Sequence, residues 1–203
     1  MKHLLVSREE IKQITKHIGE CLTKDLENES TIPVVIGIMK GSMNFMMDII
    51  ENINLDVYLD YIQVSSYNGG TQTTGKVTLK RDLSFNIKNR TIVLVEDVID
   101  TGISMNFLLH FLNEKYHPNK IILVALLDKR SRRQVDVKVD YAGKVINEDY
   151  FVYGYGLDYN ELGRNLPEIY ALTDEEIKEL SEKSGRKILE YVEALNPPKK
   201  DEN

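Results

Sequence analysis

Three carboxylates, Glu96, Asp97 and Asp100, stand together in the run TIVLVEDVIDTGIS that spans residues 91–104. The apolar, β-branched half of that run reads as a buried strand. The acids fall where the strand ends. A small turn, Thr101-Gly102-Ile103-Ser104, leads into the apolar segment ISMNFLLHFL, read as a helix. A helix start offers outward-pointing N–H groups and the positive end of the helix dipole, which together bind phosphate. Carboxylates beside a phosphate need a reason, because like charges repel. One reason is a sugar whose hydroxyls they hold; another is a metal ion that bridges to the phosphates. Acids on a sugar, a phosphate nest and a metal together point to a phosphorylated ribose.

A bare EDxxD is most often a set of solvated loop acids, and Thr-Gly is a common turn. The full order of apolar strand, EDxxDTGxS and apolar helix is far more specific. Receiver domains also place paired acids after an apolar strand, but they do so near the start of the domain and lack the DTGxS turn. A second anion-binding candidate is Lys40-Gly41-Ser42, in IGIMKGS at residues 36–42. It is a strand-to-helix turn whose backbone N–H groups can meet an anion.

Other elements must position these residues. Ser7 and Glu10 form a capping box, and apolar residues at 11, 14, 18, 22 and 26 predict a helix after it. Residues 33–38 read as a buried strand, residues 42–50 as a helix, and residues 57–64 as a strand. The small, polar stretch SSYNGGTQTTGK at 65–76 reads as a mobile loop, with residues 77–80 as its returning arm. KIILVALL at 120–127 is another buried strand. Residues 135–141 alternate as a half-exposed strand, and residues 151–155 form a last apolar strand. Thr173 to Glu176 is a second capping box, opening a helix to residue 195, and residues 196–203 read as a disordered tail. Alternating strands and helices predict an α/β fold with a mostly parallel sheet and ligands at the C-terminal ends of its strands.

The chain has 203 residues, 42% hydrophobic and 29% charged, as expected of one globular domain. A formal net charge of −6 excludes a global basic field for nucleic acid. No apolar run approaches membrane-spanning length. The N-terminal MKHLLVSREE turns charged too early for a signal peptide. The single cysteine, Cys21, excludes an internal disulfide framework and fits a reducing cytosol, so a cytoplasmic location is expected. Its spacing with Ile14, Ile18 and Leu22 predicts core filler on a helix face.

The strand–EDxxDTGxS–helix segment resembles the ribose-phosphate signature of the phosphoribosyltransferases, enzymes that use 5-phosphoribosyl diphosphate. With IGIMKGS, the Ser66-Tyr67 loop, LVALLDKRSRR at 123–133 and DYFVYGYGLDYNELGRNLP at 149–167, the chain is similar to the bacterial hypoxanthine-guanine branch of that family. The likeness runs from about residue 5 to residue 167. It implies the type I phosphoribosyltransferase fold: a mostly parallel central sheet flanked by helices, a small hood and a flexible lid loop. Residues 1–172 would form that domain, with 173–195 an additional helix.

The resemblance also implies roles. Glu96 and Asp97 would hold the ribose hydroxyls, directly or through Mg²⁺, and Thr101, Gly102, Ile103 and Ser104 would cradle the 5-phosphate. Asp100 would be the general base and acid at N7 of a purine. Lys40, Gly41 and Arg164 would bind pyrophosphate, with the Met39–Lys40 peptide able to adopt the cis form. Ser66 and Tyr67 would close over the diphosphate. Lys129 would meet the 6-oxo group, Phe151 would stack on the ring, and the Val152 backbone would meet N1 and the 2-position. Asp158 would hold a second Mg²⁺. Tyr153 stands where many relatives have a small aliphatic residue. Arg130, Arg132 and Arg133 read as a solvated or subunit-contact cluster.

The implied function is purine salvage: hypoxanthine or guanine plus 5-phosphoribosyl diphosphate gives the nucleoside monophosphate and pyrophosphate, in a homodimer or homotetramer. Two alternatives stand beside it. One is a transferase preferring xanthine or of broader base scope. The other is a non-catalytic ligand-sensing regulator on the same fold, which the negative charge and intact Asp100 disfavour.

Overall fold

A computed structural model describes residues 4–66, 77–159, 161–173 and 175–177. Tyr67, most of the expected lid, and the expected helix and tail beyond Ile177 lie outside the described residues. The chain divides into two compact units, residues 12–149 and residues 1–11 with 150–203.

The larger unit is an open sheet. In chain order its strands are β2 (Val34–Ile38), β3 (Tyr58–Ser66), β4 (Val77–Arg81), β5 (Thr91–Ile99), β6 (Lys120–Lys129) and β7 (Tyr141–Ile146). Their order across the sheet is β4-β3-β2-β5-β6-β7, parallel throughout except for antiparallel β3–β4. The near-continuous apolar runs of β2, β5 and β6 are what a parallel sheet buried on both faces requires. Ile36, Ile92, Leu94, Leu123 and Ala125 join Leu108 and Leu112 of α3 (Ile103–Tyr116) in its core. From β2 the chain passes through α2 (Met43–Ile50) to β3 on one side, then returns to β5 on the other. That reversal makes β2/β5 the switch point of the sheet, the place where such folds open a crevice.

The smaller unit holds a three-stranded antiparallel sheet, β1 (Leu4–Val6), β9 (Ile169–Leu172) and β8 (Phe151–Tyr153), in the order β1-β9-β8. Tyr153, Tyr159, Tyr170 and Leu172 are its core. Tyr153 is thus packing material, its ring 5.7 Å from that of Tyr170.

Both capping boxes form: Glu10 N donates to Ser7 Oγ at 3.2 Å, and Thr173 N to Glu176 Oε2 at 2.8 Å. The first opens α1 (Arg8–Leu26). Three expectations need correction. The alternating residues 135–140 form no strand; their N–H groups serve other partners, Val135 N donating to Thr101 O at 3.0 Å and Asp140 N to Leu123 O at 2.9 Å. The strand begins at Tyr141 instead, where β7 pairs with Val124 of β6. Strand β8 stops at Tyr153, two residues early, because Gly154 turns to φ +98°. Cys21 is half-buried rather than in the core, its Sγ 3.8 Å from His17 Nε2.

On β3, buried Asp60 anchors the 82–85 loop, accepting N–H groups from Tyr61, Ser84 and Phe85 at 2.8, 2.7 and 2.9 Å. Burial pushes its pKa up, but these hydrogen bonds outweigh burial and hold it below its ordinary value. Its stabilising contribution is present above the unfolded value, about 3.9, and is lost as pH falls through the lower folded value. Asp60→Asn should therefore lower stability near neutral pH and flatten its decline in acid. Urea unfolding at both pH values checks this; an equally steep acid decline would contradict it.

Candidate active site

Parallel pairing sets three strand ends side by side. Gly37 of β2 lies opposite Val95 of β5, and Ile99 of β5 lies opposite Asp128 of β6. The MKGS turn, the acidic signature and Lys129 therefore share one edge of the sheet.

At the first strand end, the Met39–Lys40 peptide is cis, as the resemblance implied. Met39 N donates to Ile62 O at 2.9 Å, and the buried Ser42 Oγ to Ile38 O at 2.7 Å, which closes the turn. Lys40 is exposed. Gly41 lies so close to β5 that a Cβ there would overlap the Asp97 carboxylate. Only glycine lets the turn and the acid share this space.

At the second strand end, the acids stand under electrostatic tension. Glu96 Oε2 is solvent-free and has no hydrogen-bond partner. Burial, with repulsion from Asp97 second, holds the Glu96 pKa well above the usual carboxylate range. Asp100 Oδ1 is likewise buried without a partner, while its Oδ2 lies 3.6 Å from Arg132 Nη1. Among the described residues no group of three or more His, Cys, Asp or Glu side chains could hold a metal by themselves. An orphaned carboxylate oxygen beside a second acid fits a hard cation that takes its remaining ligands from water and substrate phosphates, as Mg²⁺ does.

Below the acids lies the turn from which phosphate binding is expected. Gly102 adopts φ +82° at the N-cap of α3 and has no side chain with which to cap it, while Thr101 Oγ1 accepts from Ile103 N at 3.4 Å. The next two first-turn N–H groups of α3, those of Ser104 and Met105, are left for a ligand. Glu96, Asp100, Thr101, Gly102, Ser104 and Met105 line most of a pocket of about 130 Å³.

At the third strand end, Lys129 is buried, with Nζ 3.4 Å from Asp149 Oδ1. Asp149 in turn lies 3.6 Å from Arg132 Nη1. A chain of ion pairs thus runs from Lys129 through Asp149 and Arg132 to Asp100. Asp149 gave no signal in the sequence; an exposed acid in a loop looks like any other. Nor does Arg133 belong to a solvated cluster: its guanidinium meets the buried Asp128 and the backbone of the signature loop. An acid closing an otherwise apolar strand, LVALLD, was the available clue.

The other expected residues lie in the second unit or at the limit of the described chain. Phe151 is 38% exposed and meets the Tyr159 ring edge-on at 5.5 Å, leaving surface free for stacking. Val152 is buried and paired with Ala171. Asp158 Oδ1 is held by Arg164 Nη2 at 2.7 Å, and Arg164 Nη1 donates to Gly156 O at 2.8 Å. Ser66 ends β3 opposite Val77.

Comparison with known proteins decides the family. Residues 7–160 match the phosphoribosyl transferase domain. The chain is 42% identical to the hypoxanthine-guanine phosphoribosyltransferase of Staphylococcus aureus, over 86% of this chain and 96% of that one. The chain belongs to the hypoxanthine-guanine phosphoribosyltransferase family.

Solved structures agree on the fold. A hypoxanthine phosphoribosyltransferase from S. aureus superposes with a TM-score of 0.79 at 42% identity, over 86% of this chain and 93% of that one. A Bacillus anthracis hypoxanthine-guanine phosphoribosyltransferase gives 0.78 at 38% identity, over 85% and 99%. The fold is the type I phosphoribosyltransferase fold, with its mostly parallel central sheet. No helix among the described residues is long and apolar enough to cross a membrane.

The tension at Glu96 has a measurable consequence. A carboxylate whose folded pKa exceeds its unfolded value, about 4.3, holds its proton more tightly when folded, so stability falls as pH rises through that interval. Glu96→Gln escapes this loss. It should melt higher than the unmodified protein, by a margin that grows as pH rises above about 4.3. Thermal unfolding across that range checks it; a pH-independent difference would count against it.

Proposed function

We propose that the protein transfers the 5-phosphoribosyl group from 5-phosphoribosyl diphosphate to hypoxanthine or guanine, releasing pyrophosphate, as a cytoplasmic homodimer or homotetramer. What carries the reading is the meeting at one sheet edge of the Gly41 turn, the acidic pair with its orphaned oxygen, and the glycine-led start of α3. A phosphorylated sugar diphosphate asks for that combination: acids for ribose hydroxyls, and two separate sets of N–H donors, one for the 5-phosphate and one for the diphosphate.

In this reading the 5-phosphate lies on the N–H groups and hydroxyls of residues 101–104. Glu96 and Asp97 orient the ribose, and the Lys40-Gly41 backbone receives pyrophosphate. Glu96 and Asp97, with Asp158 at a second site, would hold Mg²⁺, whose positive charge would offset the negative charge of the pyrophosphate leaving group. The displacement at the anomeric carbon passes through an oxocarbenium-like state, so orientation and exclusion of water matter more than covalent chemistry. Asp100 takes the N7 proton as the purine attacks and returns it in the reverse direction. Its buried, unpartnered Oδ1 supports that role. The family likeness assigns Phe151 to stacking, the Val152 backbone to the 2-position, Arg164 to pyrophosphate, and Ser66 and Tyr67 to closure over the diphosphate.

Lys129 sets base choice. An ammonium only donates hydrogen bonds, so it suits a 6-oxo acceptor and opposes the adenine amino group. Leaving a buried charge facing a donor costs more than a missed neutral contact.

Pyrophosphate release with hypoxanthine, guanine, xanthine, adenine and no base tests the reading. Hypoxanthine and guanine should lead, xanthine should be weaker, and adenine negligible; adenine turnover equal to hypoxanthine would overturn it. Asp100→Asn should lower turnover by about 10²–10⁴-fold while leaving 5-phosphoribosyl diphosphate binding nearly intact. Single-turnover kinetics measure the chemical step, and an unchanged rate there would remove Asp100 from the mechanism.

A further inference from the structure

One guanidinium holds the signature loop from behind. Arg133 Nε donates to Asp100 O at 3.0 Å, Nη2 to Ile99 O at 3.4 Å and to Asp128 Oδ1, and Nη1 to Val137 O at 3.5 Å. Only 16% of the Arg133 side chain and 2% of the Asp128 side chain are exposed. The other Asp128 oxygen accepts from Arg130 Nε at 2.9 Å. The backbone continues the grip, since Gln134 N and Val135 N both donate to Thr101 O, at 2.9 and 3.0 Å. Gly102 packs so tightly on this segment that a Cβ would run into Val135 O.

Three consecutive carbonyls, those of Ile99, Asp100 and Thr101, therefore face residues 133–135. The peptides that carry them are trans. In a trans peptide the C=O and the N–H of the following residue point in opposite directions. The N–H groups of Asp100, Thr101 and Gly102 are thereby turned away from Arg133. Asp100, Thr101 and Gly102 line the pocket, where a phosphate would sit.

We propose that Arg133, fixed by Asp128, is a positioning residue for ribose-phosphate binding: it aims the N–H donors of residues 100–102 without touching the ligand. The proposal rests on the reading of residues 101–104 as a 5-phosphate nest. Arginine is needed because its planar fork carries five donors and can satisfy a carboxylate and several carbonyls at once; a lysine ammonium is a single point.

The test compares Arg133→Met and Arg133→Lys with the unmodified protein, titrating ribose 5-phosphate alone and measuring steady-state kinetics. Affinity for ribose 5-phosphate should fall about ten- to a hundredfold in both variants, the scale set by charge-assisted hydrogen bonds. The KM for 5-phosphoribosyl diphosphate should rise in step, while the KM for hypoxanthine changes little. Added guanidinium ion should restore ribose 5-phosphate binding to Arg133→Ala. Undiminished ribose 5-phosphate binding by Arg133→Met overturns the proposal. So does a parallel loss of purine and phosphate affinity with no guanidinium rescue, the pattern of a merely structural staple. Should Arg133→Met fail to fold, Arg133→Lys, which keeps a positive charge opposite Asp128, carries the same comparison. An unmodified protein that fails to bind ribose 5-phosphate overturns the nest reading itself, and this proposal with it.

Discussion

The parallel registration of β2, β5 and β6 is the constraint on which the rest of the larger unit depends. Parallel strands run the same way, so their C-terminal ends finish on one edge, and each connection returns the chain to the opposite end to start again. Segments far apart in sequence, at residues 39–42, 96–104 and 128–129, are thereby held side by side by backbone hydrogen bonds and buried aliphatic side chains. The chain leaves β2 to one side and returns on the other. The MKGS turn and the turn before α3 consequently lie on either side of the switch point. The core is hydrophobic and non-specific; its consequence at the sheet edge is specific.

That edge is assembled against its own electrostatics. Glu96 and Asp97 repel each other, Glu96 Oε2 and Asp100 Oδ1 are buried without partners, and the Gly41 backbone presses against Asp97. Buried polar atoms without partners cost free energy, and native proteins keep them chiefly where function requires. Here each orphan is an acceptor facing a place where a cation, a hydroxyl or a purine proton would satisfy it. The surroundings supply the rigidity that such a site needs: the turn closed by Ser42, and the loop gripped by Arg133 and the N–H groups of residues 134–135.

Much of this was legible in the chain itself. Strands β2, β5 and β6 announce themselves because a sheet buried on both faces demands unbroken apolar runs. The capping boxes at Ser7 and Thr173 mark helix starts because their side chains satisfy local N–H groups, whatever the rest of the molecule does. Strands β1 and β9 escaped notice, being three and four residues long; a strand that short is stable only through its partner. The alternation at 135–140 misled for the complementary reason. Its period was right for a strand, but Val135 and Asp140 donate their N–H groups to Thr101 and Leu123 rather than to a ladder.

The sequence by itself determined the family of chemistry. EDxxDTGxS after an apolar strand and MKGS before a helix are local patterns, and their meaning lies in residue types and spacing that survive without coordinates. Only the tertiary structure decided which residues support them. That Gly41 must be glycine because of Asp97, that Asp128 is buried, and that Arg133 rather than Arg130 or Arg132 grips the loop follow from contacts across 5 to 56 positions of sequence. Burial and long-range hydrogen bonding are properties of the packed whole, so three neighbouring arginines that look alike in the chain acquire different environments only when the strands close around them.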